Sequence, residues 1–137
     1  MTENNSIESD PFVRKIRDLA KNNLDIEVVW LYGSRATNKA QMYSDYDIAI
    51  AFKNFKLSDI ERYLRPNELA LEWSAILKLP EKMLSIVDIN QSPSYLNYNI
   101  IEQGIVLYTN HSARLYKEQD RIYSQYEYQL KEASDEK

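Results

Sequence analysis

Asp45 and Asp47 stand two residues apart at the head of the apolar run Ile48-Ala49-Ile50-Ala51-Phe52. In an extended chain that spacing puts both side chains on one face, where two carboxylates repel each other unless a cation lies between them. Magnesium suits such a pair, because it takes one or two carboxylates, keeps several waters and accepts phosphate oxygens for the rest. Upstream, Gly33-Ser34 follows directly on a second apolar run, Ile26 to Tyr32, and Gly33 is one of only 2 glycines in the chain. Glycine there permits a tight turn and close approach to the backbone, while Ser34 offers an amide and a hydroxyl to the phosphates of a nucleoside triphosphate. Asp88, inside the apolar stretch Leu84 to Ile89, is a third candidate ligand, since a charge in such a strand is expensive without a partner. Each signal has a plainer reading: a turn glycine with a capping serine, a solvated strand end, and a last strand residue pointing to water. Against the second stands the position of the pair, which leads straight into a core strand and not into an exposed hairpin. Arg35 and Lys39 offer positive charge nearby, and serve equally well as solvated surface cations.

Other chemistries are narrowed by composition. The chain has no cysteine and 1 histidine, which excludes disulfides, thiolate metal sites, a cysteine nucleophile and any site needing two imidazoles. A net charge of −4 argues against stable binding of long nucleic acids, which is built mainly from Lys and Arg on phosphates. No apolar run reaches the roughly 18 residues of a membrane span, and the polar start is unlike a signal peptide, so the expectation is a cytoplasmic protein with no membrane partner. At 137 residues the whole chain, 1–137, reads as one domain, with flexible tails expected at about 1–9 and 131–137.

The elements that must position these residues follow from periodicity. Asp10-Pro11 is an N-cap followed by a first-turn proline, and Phe12, Val13, Ile16, Leu19 and Ala20 keep helical spacing, predicting a helix over 11–22. Strands are predicted at 26–32, 46–52, 84–89 and 105–108. Ser58-Asp59-Ile60-Glu61 has the form of a capping box and opens a helix expected to break near Arg65-Pro66 and resume to Leu77. Ser92-Pro93 begins a further helix that Gly104 closes as a left-handed cap, and a last helix runs from about 110 to 130. The predicted fold is α/β (α+β), a small mixed sheet of about four strands with helices packed mainly on one side. Tyr116, Tyr123, Tyr126 and Tyr128 on the last helix are more often packing than partner contact.

Gly33-Ser34, ten residues, then Asp45-x-Asp47 and an apolar strand resembles the signature of the polymerase-beta-like nucleotidyltransferases. More narrowly, the chain looks like the minimal nucleotidyltransferases that pair with HEPN-domain toxins. The likeness extends over Arg35-Ala36, Asp88 and the closing Gly104-x-x-Leu107-Tyr108. It departs at Asn38, where the family often has a second glycine; asparagine tolerates the left-handed conformation better than most residues. The resemblance implies transfer of AMP from ATP with two magnesium ions, Asp45 and Asp47 being catalytic and bridging the ions. It further implies that Asp88 joins the ion that activates the incoming hydroxyl, and that Gly33 and Ser34 anchor the phosphates. The implied acceptor is a tyrosine of a partner HEPN ribonuclease, which makes the chain an antitoxin in a hetero-oligomer. Two alternatives stand beside this: an antitoxin that only binds and masks, and a small-molecule nucleotidyltransferase, which usually needs a further acceptor-binding domain.

Overall fold

Asp10 Oδ1 accepts hydrogen bonds from the amides of Phe12 (2.8 Å) and Val13 (3.4 Å), so helix α1 (Pro11–Lys21) begins where its cap signal predicts. The computed structural model describes residues 7–135, and the expected tails at 1–6 and 136–137 lie outside the described residues. Within the described part, Ile7 is buried in the core and the last helix continues to Asp135.

The two long apolar runs form the central hairpin of the sheet, β1 (Ile26–Tyr32) and β2 (Tyr46–Phe52), antiparallel and in register from Tyr32 opposite Asp47 to Val28 opposite Ala51. Helix α2 (Asp59–Leu77) carries the chain across to β3 (Leu84–Asp88), which pairs with β2 in parallel, as a helical crossover permits. Helix α3 (Ser94–Gln103) then leads to β4 (Ile105–Thr109), antiparallel to the free side of β1, and helix α4 (Ser112–Asp135) completes the fold. The mixed sheet has the order β3-β2-β1-β4.

The helices are shared between both faces of the sheet, two and two, and do not lie mainly on one. Ile16 of α1 and Trp73 of α2 pack with Val29, Leu31, Ile48, Ile50 and Ile86. On the other face Ile100 of α3 and Ile122 of α4 pack with Val28, Trp30, Ala49 and Ala51. Each strand of the β1–β2 hairpin is buried on both sides, which explains runs that are apolar at nearly every position.

Two local expectations fail for identifiable reasons. Helix α2 runs unbroken through Pro66; the proline removes one amide donor, and burial of its ring with Leu69 and Trp73 on the inner side of the helix keeps the segment helical. Gly104 ends α3 in an extended conformation, φ −75°, and not a left-handed one. Glycine is required there because a Cβ would overlap the Ile100 carbonyl. Among the described residues no helix is long and apolar enough to cross a membrane.

Candidate functional site

Alternation along β2 decides which side chains meet. Tyr46, Ile48 and Ile50 face α1 and α2, which leaves Asp47 on the opposite side with Ala49 and Ala51. Asp47 sits at the open end of that face, half-buried beside Tyr32, its cross-strand partner on β1. Asp45, two residues earlier and exposed, lies close enough for its charge to be felt there. Burial pushes the Asp47 carboxyl above the usual carboxylate range, and repulsion from Asp45 adds to it. Burial, with the Asp47 charge, likewise pushes the Tyr32 phenol up to about 12. Crowded negative charge of this kind is relieved by a cation between the two groups.

Gly33 follows Tyr32 and turns the chain with φ +74°, a conformation that disfavours every residue with a side chain. Its second constraint is contact: a Cβ built on Gly33 would overlap Asp47 Oδ2. The carboxylate is thus packed against the backbone of the turn that carries Ser34. Gly33 to Arg35 form one 3-10 turn, closed by the Ala36 amide donating to the Gly33 carbonyl at 3.0 Å. Ser34 stands at its start, partly exposed, with no hydrogen bond to its hydroxyl among the described residues. Beyond it the Lys39 amide donates to the Ser34 carbonyl at 3.0 Å. Asn38 adopts φ +60°, the left-handed conformation expected of it.

Asp88 does not join the pair. It lies on β3 opposite Ile50, three positions beyond the residue that faces Asp47, and it shares its face with Leu84 and Ile86. That places it roughly 10 Å further along the sheet and on the side away from Asp47. There it is buried, neither solvated nor available to a metal: Arg65 of α2 reaches Asp88 Oδ2 at 3.4 Å and Asp25 Oδ2 at 3.1 Å. Asp88 Oδ1 also accepts from the Asn90 amide at 2.8 Å. The β3 residue opposite Asp47 is Ser85, exposed and on the Asp47 face.

Among the described residues no group of three or more His, Cys, Asp or Glu side chains converges on a common point. The donors present are therefore two carboxylates. They fit magnesium that completes its shell with water and triphosphate oxygens, and do not fit a cage built from protein alone. A cavity of about 310 Å³ beneath the loop, lined by Asp10, Val13, Leu31, Arg35 and Met42, opens on the α1 side of the sheet and is separate from the carboxylate pair.

Three features of the site are not read from the motif. Tyr32 and Ser85 flank Asp47 only because of strand pairing. Tyr46, between the two carboxylates in sequence, turns inward, and its hydroxyl donates to Asp10 Oδ2 at 2.7 Å; the alternation of side chains along an extended chain is the signal that could have found it. Arg35 is committed to the loop and is not a free cation, with Nε and Nη2 donating to the Ser44 carbonyl at 3.0 and 2.7 Å. Lys39 is exposed.

The family model described as polymerase beta, nucleotidyltransferase, matches residues 14–113, from α1 to the start of α4. A comparison with curated proteins finds no match. Among solved structures, a chain in a toxin–antitoxin complex with AMP-PNP is similar at 21% identity, over 92% of this chain and 94% of that one, with a TM-score of 0.70. A chain in the complex of tri-AMPylated Shewanella oneidensis HEPN toxin with MNT antitoxin matches at 22% identity, 90% and 91% coverage and a TM-score of 0.64. A chain of the toxin–antitoxin MntA–HepT matches at 22% identity, 90% and 92% coverage and a TM-score of 0.65. At these identities the likeness establishes a shared fold.

Proposed function

Because the chain belongs to the polymerase beta nucleotidyltransferase family, we propose that it is a magnesium-dependent protein adenylyltransferase that inactivates a HEPN ribonuclease toxin by moving AMP from ATP onto a tyrosine hydroxyl. The observation that carries this reading is the contact of Asp47 with the backbone of Gly33, which joins the carboxylate pair and the phosphate turn in one site. The toxin partner and the AMP group are supported by the solved complexes of the same fold, one of them with AMP-PNP and one with a tri-AMPylated toxin.

In this reading Asp45 and Asp47 hold magnesium, and Gly33 and Ser34 present amides and the Ser34 hydroxyl to the outer phosphates. Magnesium, when bound, neutralises phosphate charge as it develops. The acceptor phenol oxygen forms a bond to the α-phosphorus, the bond from that phosphorus to the bridging oxygen breaks, and pyrophosphate leaves. The phenolic proton passes to water. Asp88 has no part in this scheme, and the β3 residue paired with Asp47 is Ser85.

The absence, among the described residues, of a third carboxylate beside Asp47 favours one alternative, an antitoxin that masks its partner by contact. Co-expression with the HEPN protein separates the two. Mass spectrometry of the toxin should show added AMP on tyrosine, and the toxin should stay inactive after the proteins are parted. With the Asp45→Ala/Asp47→Ala double variant it should be unmodified and toxic. Full protection by that variant would replace catalysis with masking.

A further inference from the structure

We infer that Arg35 is a positioning residue that clamps the mouth of the loop between Ser34 and Asp45, setting the phosphate turn and the carboxylate pair at a fixed separation. The inference rests on the proposed nucleotidyltransferase site and adds to it the device that assembles it. Arg35 is the residue after Ser34, and the carbonyl it binds belongs to Ser44, the residue before Asp45. Two donors of one guanidinium thus tie the two ends of a ten-residue loop directly at the functional residues. A fork of fixed planar donors holds orientation as well as distance, which a lysine ammonium does not.

The clamp is itself held from below. The guanidinium lies 4.0 Å over the ring of Tyr46, a cation–π contact, and Nη1 is 3.9 Å from Asp10 Oδ2. The same Asp10 carboxylate takes the Tyr46 hydroxyl through Oδ2 and caps α1 through Oδ1. Loop, β2 and the start of α1 therefore converge on one side chain. Asp47 needs no such help, because β2 pairs with a strand on each side. Asp45 precedes the strand, and its backbone neighbour Ser44 is held by Arg35. Without the clamp Asp45 is free to leave the cation, and one carboxylate is left to hold it.

The test uses the full chain as Arg35→Ala and Arg35→Lys, with two readouts. The first is hydrogen exchange of the loop amides that are bonded within the loop, Lys39 and Ser44. These should exchange at least tenfold faster in both variants, while amides of β1 and β2 keep native protection. The second is the affinity for manganese in the presence of AMP-PNP, followed by paramagnetic resonance, which should fall about tenfold in Arg35→Lys and further in Arg35→Ala. Arg35→Lys keeps the charge, so it provides the reading if Arg35→Ala does not fold, and added methylguanidinium should partly restore manganese affinity to a folded Arg35→Ala protein. Native loop exchange in Arg35→Lys overturns the clamp, as does native manganese affinity in that variant. Native protein that fails to bind manganese with AMP-PNP, while its loop still loosens on substitution, overturns the nucleotidyltransferase site and leaves the clamp as a purely structural device.

Discussion

Asp47 combines the two properties a cation ligand needs, a partner carboxylate and partial burial, and both act against its own ionisation. Its proton is bound more tightly in the folded than in the unfolded chain. Its contribution to stability is therefore fully present below the unfolded value and is lost as pH rises through the folded one. At neutral pH without magnesium, Asp47→Asn should melt at or above the native temperature in a circular-dichroism scan. Magnesium with AMP-PNP should then stabilise only the native protein, by about 2.7 kcal/mol at a hundredfold excess over Kd. Equal stabilisation of the Asn variant would remove Asp47 from the site. Asp88 should behave in the opposite way. Asp88→Asn weakens its pairing with Arg65 and should lower stability by about 1–3 kcal/mol, leaving manganese affinity unchanged by resonance titration. Ser85→Asp, which sets a carboxylate opposite Asp47, should raise that affinity about tenfold, a gain of about 1.4 kcal/mol.

Helix α4 is fastened to the sheet by a polar cluster as well as by Ile122. Arg114 donates to Glu118 at 2.9 Å, to Glu27 at 2.8 Å and to the Phe52 carbonyl at 2.8 Å, joining α4 to β1 and β2. Glu118 also accepts from Arg121 at 2.8 Å and from Asn90 at 3.1 Å. Burial alone would raise the Glu118 carboxyl; bonds from Arg121, Asn90 and Arg114 outweigh it and hold the group below the usual carboxylate range. Stability from this cluster is present above the unfolded value and lost as pH falls through the folded one. Glu118→Ala leaves Arg114 with Glu27 as its one carboxylate partner, removes an acceptor of Arg121 and Asn90, and should cost about 1–3 kcal/mol in urea unfolding at neutral pH. That difference should shrink in acid, and a pH-independent difference would assign the loss to packing.

The cluster and the carboxylate pair lie at opposite ends of the sheet, which gives the molecule one end that holds it together and another that is open. Glu27, Phe52 and Asp88 mark the first end, Tyr32, Asp47 and Ser85 the second. Because each face carries two helices, removing α4 leaves α3 alone on one of them and uncovers part of the layer around Trp30, which is only 1% exposed in the whole chain. A chain ending at His111 should therefore fail to unfold cooperatively and should bind a hydrophobic dye, as a state without fixed packing does. A sharp thermal transition in that truncated chain would show that α3 covers this face well enough without α4.

Much of this was legible in the chain itself. The two central strands coincide with their apolar runs, because residues buried on both sides of a sheet must be apolar at successive positions. Gly33 is legible because a positive φ admits few other residues, and Asp45 with Asp47 because a period of two is a local property of extended chain. Even the exclusion of Asp88 was partly written: it alternates with Leu84 and Ile86, large residues that pair with Tyr46 and Ile48, which puts Asp88 on their side. What composition and spacing leave undetermined is which strands become neighbours and in what register. Those are decided by contacts between residues far apart in the chain, and through them the structure sets Ser85 and Tyr32 beside Asp47, Asp88 beside Arg65, and Arg35 across the mouth of the loop.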